Sequence, residues 1–214
     1  MSSPFRTALA GTRFYPLTDR YYSQLSHAEQ VSHLARQGAR IVQLREKLLS
    51  PAEFYGEAVA AMRVARDLGV KIIINDRVDI ALALEADGVH LGQDDLPPEA
   101  ARRILGEKAI IGFSTHSFEQ AGRALKMPLD YIALGPIFAT STKANAETPL
   151  GLRELRRIRE VVESTPVVAI GGITAENSQG VIEAGADAVA LISDIWTSQS
   201  IMADRAPHLL QTPQ

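Results

Sequence analysis

Short runs of apolar and β-branched residues recur along the chain at 14–17, 41–45, 71–75, 88–92, 110–114, 131–135, 167–171 and 188–193. Between and after them lie longer segments in which apolar residues return every three to four positions, near 26–37, 51–68, 78–85, 97–105, 117–126, 151–163, 175–184 and 199–210. The first pattern predicts strands and the second amphipathic helices. The start of 51–68 is the most clearly marked, with Ser50 able to cap, Pro51 at the first helical position and Glu53 three residues past the cap. Lys-Ile-Ile-Ile-Asn at 71–75 and Val-Val-Ala-Ile at 167–170 are continuously apolar at their centres, as strands covered on both faces are.

Alternating strands and helices with buried strands imply a parallel sheet. Eight units in 214 residues give about 27 residues each, which fits a (β/α)8 barrel, an α/β TIM barrel. An open doubly wound sheet would need a glycine-rich turn after the first strand, and Leu17-Thr18-Asp19-Arg20-Tyr21 is not one. A weak repeat marks the junction of helix and next strand: Gly38-Ala39-Arg40-Ile41-Val42, Ala86-Asp87-Gly88-Val89-His90, Leu129-Asp130-Tyr131-Ile132-Ala133 and Gly185-Ala186-Asp187-Ala188-Val189. A helix-ending glycine and an acidic turn residue recur in these junctions as solutions to one local geometry. No linker or shift in composition divides the chain, so a single barrel domain over 1–214 is expected, with its site at the C-terminal ends of the strands.

Composition adds exclusions. With 46% hydrophobic residues the chain can build a large core, and with no cysteine it has no disulfide, zinc-thiolate site, iron–sulfur cluster or cysteine nucleophile. A net charge of −3 gives no general attraction to nucleic acid or an anionic membrane, so any anion binding must be local. Residues 1–11 contain one arginine and no apolar stretch long enough for a signal peptide, and no run reaches transmembrane length; a cytoplasmic protein is expected.

The predicted strand ends carry polar groups that packing does not require. In Ile41-Val42-Gln43-Leu44-Arg45-Glu46-Lys47, Gln43, Arg45 and Lys47 share one face and Leu44 takes the other. They form either an anion clamp at the barrel mouth or an ion-pair network with Glu46 or another acid. Asp76 ends the third strand, after Asn75, and Asp94 and Asp95 follow the fourth; singly, each acid reads as a helix cap. Together, on neighbouring strand ends beside cations, they suggest carboxylates holding Mg2+ against substrate phosphates. In Gly112-Phe113-Ser114-Thr115-His116-Ser117, Ser114 is placed to meet a ligand and Ser117 to cap the next helix. His116 is either a turn residue facing solvent or a proton-transfer group. A hydrolase triad is set aside, because the G-x-S-x-G elbow and an acid partner are missing. His27, His33, His90 and His208 fall within helix or strand patterns and are given no catalytic part. The connection 135–151 is long and polar, with hydroxyls and Lys143 suited to phosphate oxygens and Pro136, Pro149 and Gly151 setting its edges. Gly171-Gly172 and Ser193 stand where barrels commonly bind a phosphate monoester.

Taken in order, QLREK at 43–47, ND at 75–76, GVHLGQDD at 88–95, GFSTHS at 112–117, GPIFATSTK at 135–143, PLG at 149–151, GGI at 171–173 and IS at 192–193 resemble the thiamine phosphate synthase family. The resemblance implies a (β/α)8 transferase that joins 4-amino-5-hydroxymethyl-2-methylpyrimidine diphosphate to 4-methyl-5-(2-phosphoethyl)thiazole and releases pyrophosphate. It implies a dissociative course, which asks for leaving-group stabilisation and positioning more than for a base. Carried over position by position, Gln43, Arg45, Lys47, Asn75, Ser114 and Lys143 would meet the pyrimidine diphosphate, with Arg45, Lys47, Ser114 and Lys143 catalytic. Asp76 and Asp95 would ligate Mg2+, and Thr140, Thr142, Gly172, Ile192 and Ser193 would bind the thiazole phosphate. Phe113, Ala144 and Trp196 depart from the family pattern and bear on substrate fit. The expected partners are the two small-molecule substrates, without nucleic acid or membrane, in a monomer or a homo-oligomer alike. Two alternatives remain: the sister thiazole tautomerases, with His116 as proton shuttle and no use for both acids, and a phosphate-binding regulator on the same barrel, which would lack the metal acids.

Overall fold

The structure, a computed structural model, describes residues 3–140, 148–197 and 209–210. Eight parallel strands close into a barrel in sequence order, β1 pairing with β8. They are β1 (Phe14–Thr18), β2 (Ile41–Leu44), β3 (Lys71–Asn75), β4 (Gly88–Leu91), β5 (Ile110–Thr115), β6 (Tyr131–Leu134), β7 (Val167–Ile170) and β8 (Ala188–Leu191). Every predicted strand is present, with its C-terminal end shifted by at most two residues. The helices outside the barrel include α3 (His27–Arg36), α4 (Pro51–Leu68), α5 (Val78–Ala83), α6 (Pro98–Leu105), α7 (Phe118–Ala124), α8 (Gly151–Val162) and α9 (Ala175–Glu183). Ser50, Pro51 and Glu53 form the expected capping box of α4, and Ser117 caps α7. Three short helices were not expected: α1 (Pro4–Leu9), α2 (Arg20–Ser23) and α10 (Ser193–Thr197). The helix expected over 199–210 lies almost wholly outside the described residues. None of the described helices is long and apolar enough to cross a membrane.

The two-residue period of the strands divides the core in two. Val42, Leu44, Ile72, Ile74, Val89, Leu91, Ile111 and Phe113 point outward and pack against the helices. Tyr15, Leu17, Ile41, Ile73, Ile110, Tyr131 and Val168 point inward and fill the barrel. Phe5, Ala8 and Leu9 of α1 join the inner group. Phe5 is fully buried, stacked on Tyr131 at a centroid distance of 4.1 Å and edge-on to Tyr15 at 5.5 Å. Gly112, paired in register with Tyr131, leaves room for that ring: a Cβ there would stand 2.0 Å from it. The segment read only as lacking a signal peptide thus plugs the bottom of the barrel.

The weak repeat in the sequence has a specific task. Asp87, Asp130 and Asp187 each stand just before an even-numbered strand and accept the N–H of Ile72, Ile111 and Val167, respectively, on the preceding odd one, at 2.8, 2.9 and 2.8 Å. Each also binds cations: Lys71 pairs with Asp87, Arg102 with Asp130, and Arg6 and Arg159 with Asp187.

Phe5→Ala should remove about 3–5 kcal/mol of stability by opening a cavity under Tyr131. Urea unfolding followed by circular dichroism checks it; an unchanged midpoint would show that α1 does not close the barrel.

Candidate active site

A cavity of about 530 Å3 opens at the C-terminal ends of the strands. Its wall is divided. The ends of β2 to β5 contribute Gln43, Arg45, Lys47, Asn75, Asp76, His90, Asp95 and Ser114, while β6 to β8 and β1 contribute Ala133, Val168, Ile170, Ala190, Ile192 and Leu17. One half is polar and charged, the other apolar.

The alternation read from β2 holds: Leu44 is in the outer core, and Gln43, Arg45 and Lys47 all line the cavity. The cations are held by acids other than Glu46. Arg45 Nη1 donates to Asp19, whose other carboxylate oxygen caps α2 by accepting from the N–H groups of Tyr21 and Tyr22. Lys47 pairs with Asp76. Glu46 instead accepts from the backbone N–H groups of Lys47, Leu48 and Leu49 and faces the ring of His27 at 3.4 Å. Burial pushes its carboxyl up, but the three backbone donors and His27 outweigh this and hold it below the usual range. Glu46 therefore shapes the turn that carries Lys47.

Neither acid of the proposed pair caps a helix. The residues preceding α5 and α6 are Arg77 and Pro97, and neither helix has a side-chain cap. Asp76 instead adopts a left-handed backbone, φ 63°, with its N–H donated to the His90 carbonyl at 2.8 Å. An aspartate tolerates this region better than most residues, and such conformations persist where the surroundings enforce them. Asp95 accepts the Gly92 N–H at 2.7 Å. Burial first, then the adjacent Asp76 charge, raises the Asp95 carboxyl above its ordinary value, against the Gly92 hydrogen bond and Lys47. Two carboxylates that crowd each other in a partly desolvated place, beside a cavity, form an oxygen-only donor set that suits a divalent cation also bound by phosphate oxygens. Among the described residues no third acid or histidine joins them in a metal-binding cluster. Asp94 is exposed at the rim.

Ser114 lines the cavity and its Oγ lies 2.9 Å from His90 Nε2. His90, which the sequence reading left aside, is thus part of the wall. The available signal was strand parity: Val89 and Leu91 face out, so His90 faces in. His116 also lines the cavity, and its Nδ1 donates to the Gly135 carbonyl at 2.6 Å. Asn75 is buried to 8% exposure and borders the cavity.

On the apolar side, Thr140 and Ile192 line the cavity, while Gly172 and Ser193 stand one residue beyond the lining residues Gly171 and Ile192. Gly172 has φ 62°, and a Cβ on it would fall 2.5 Å from the Ala139 carbonyl. The close passage of two loops therefore requires this glycine whether or not a phosphate binds. The same passage is fastened by Ile137 and Phe138 N–H groups donating to the carbonyls of Ile170 and Gly171. At the far end of the long connection, Leu150 and Gly151 donate to Pro136 and Ile137, so both expected edges are pinned. Thr142, Lys143 and Ala144 lie outside the described residues. Phe113 packs in the outer core and so does not face the cavity; Trp196 packs against that core, near His33.

The family model described as thiamine monophosphate synthase matches residues 14–195. A thiamine-phosphate synthase of Chloroflexus aurantiacus is 44% identical over 192 residues, 89% of this chain and 88% of its own. That of Clostridium novyi is 43% identical over 190 residues, 88% of this chain and 93% of its own. Among solved structures, a thiamine phosphate pyrophosphorylase from Pyrococcus furiosus superposes with a TM-score of 0.82 at 33% identity, covering 96% of this chain and 97% of its own.

His27, buried against Thr18 Oγ1 at 2.7 Å, is held below its ordinary value of 6.5, chiefly by burial and against the charge of Glu46. A histidine kept neutral by the fold contributes stability that is complete above pH 6.5 and is lost as the pH falls through its lowered value. Denaturant unfolding should therefore show stability declining below pH 6.5, with a shallower decline in His27→Gln; equal slopes would remove His27 as the source.

Proposed function

We propose, given that this chain belongs to the thiamine monophosphate synthase family, that the mouth of its barrel joins 4-amino-5-hydroxymethyl-2-methylpyrimidine diphosphate to 4-methyl-5-(2-phosphoethyl)thiazole. The chain is a transferase of thiamine biosynthesis. The bond between the pyrimidine methylene carbon and the diphosphate oxygen breaks, and its electron pair leaves with pyrophosphate. The thiazole nitrogen then gives its lone pair to that carbon, forming the C–N bond of a thiazolium.

The observation that carries the division of labour is the contact of Asp76 with Asp95 beside Lys47, at the charged half of a cavity whose other half is apolar. Arg45, Lys47, Asn75 and Ser114 hold the diphosphate, joined by Lys143, and Gln43 meets the pyrimidine end. Arg45 and Lys47 keep their heads fixed through Asp19 and Asp76, so they meet the developing charge without large reorganisation. Asp76 and Asp95 hold Mg2+, which supplies a positive charge to neutralise the departing diphosphate. Thr140, Thr142, Gly172, Ile192 and Ser193 hold the thiazole phosphate, and the apolar residues of β6 to β8 exclude water from the carbocation formed between the substrates. The paired acids favour this reading over thiazole isomerisation, which has no diphosphate to release. Phosphorylated intermediates of this kind support a cytoplasmic setting.

In a coupled pyrophosphate assay, product should require both substrates and Mg2+, and a chelator should abolish it until Mg2+ is restored. Asp76→Asn, which keeps a residue tolerant of the left-handed backbone, should lower turnover by about a hundredfold or more, with the unfolding midpoint little changed. Turnover that survives in chelator would overturn the metal assignment.

A further inference from the structure

Five polar side chains form an unbroken hydrogen-bonded chain across the barrel. Gln43 Nε2 donates to the Tyr15 hydroxyl at 3.1 Å, and the Tyr15 and Tyr131 hydroxyls are 2.9 Å apart. The Tyr131 hydroxyl lies 2.9 Å from His90 Nδ1, and His90 Nε2 lies 2.9 Å from Ser114 Oγ. The chain begins and ends at the cavity, since Gln43 and Ser114 both line it. Its centre is buried, with Tyr15 at 1% and Tyr131 at 0% exposure. Burial raises both phenols, so each keeps its proton.

Proton counting then sets a direction. The Gln43 amide nitrogen donates, so Tyr15 accepts from it; Tyr15 borders the cavity but is only 1% exposed, and Tyr131 at 2.9 Å is the partner that satisfies its one proton. Tyr131, having accepted, gives its own proton to His90 Nδ1. With Nδ1 accepting, the ring's proton belongs on Nε2, from which it is donated to Ser114 Oγ. Ser114 is left with its own O–H to give, and the cavity is where it can give it. Each link polarises the next.

We propose that this chain is a directional relay that presets the Ser114 hydroxyl as a donor to a ligand oxygen in the cavity, with Tyr15, Tyr131 and His90 as positioning residues. The benefit of the relay, though not its direction, rests on the reading of this wall as the seat of a leaving diphosphate. A serine free to rotate would divide its proton between His90 and the ligand; here the imidazole already fills its acceptor side.

The test is the tautomer of His90 in the whole protein. Two-bond 15N–1H correlation spectra of 15N-histidine-labelled protein, with His90 assigned by its absence in His90→Gln, should show a neutral ring protonated on Nε2. A proton on Nδ1, or on both nitrogens, overturns the proposal. In Tyr131→Phe the Nε2 preference should be lost, and kcat for pyrophosphate release should fall about tenfold while KM for the thiazole phosphate stays unchanged. An Nε2 preference that survives Tyr131→Phe also overturns it. The wild-type spectrum decides the direction even if that variant does not fold. If the wild type releases no pyrophosphate, the proposed reaction falls while the spectrum still settles the relay.

Discussion

The arrangement of the mouth depends on strand register. In a closed barrel the side chains of each strand alternate between the interior and the helices, and a slip of one residue would exchange the two sets. Gln43 would then face the helical shell and Leu44 the cavity. At the opposite end of the barrel, Asp87, Asp130 and Asp187 hold the starts of β3, β5 and β7 by a backbone N–H each, and the surrounding cations hold the aspartates. These carboxylates touch nothing in the cavity. They keep the polar positions of β2 to β5 aimed at it from the far end of the strands.

The split wall matches the two demands of the proposed reaction. A departing diphosphate calls for fixed positive charge and hydrogen-bond donors, whereas a short-lived carbocation calls for the absence of water. Separate strands supply these: β2 to β5 carry the charged groups, and β6 to β8 carry alanine, valine and isoleucine. The acids that anchor the cations also prevent uncompensated charge in a partly buried place. Asp19 serves Arg45 and α2 at once, and Asp76 serves Lys47 while crowding Asp95.

The strands were legible because their apolar runs are continuous and bounded by turn residues, and α4 because its capping box is complete. α1, α2 and α10 were not, because helices of four to six residues show too few turns for a period to emerge. The acids at 76 and 95 could be named from sequence, but whether they were caps could not; only the backbone around α5 and α6 shows that they are not. Phe113 was open in the sequence because its side depends on parity, and the structure turns it to the helices while Gly112 and Ser114 face in. His90 was missed through the same parity. A polar residue between Val89 and Leu91 looks incidental until Tyr131 and Ser114, distant in sequence, close on either side of it.

With Phe5 wedged beneath Tyr15 and Tyr131, the barrel is a vessel stoppered at its base. The cavity above that floor opens at the upper rim, at the C-terminal ends of the strands. A helix that stands before the first strand thus sets the floor of the vessel, and through Tyr15 it bears on the lining of the mouth above.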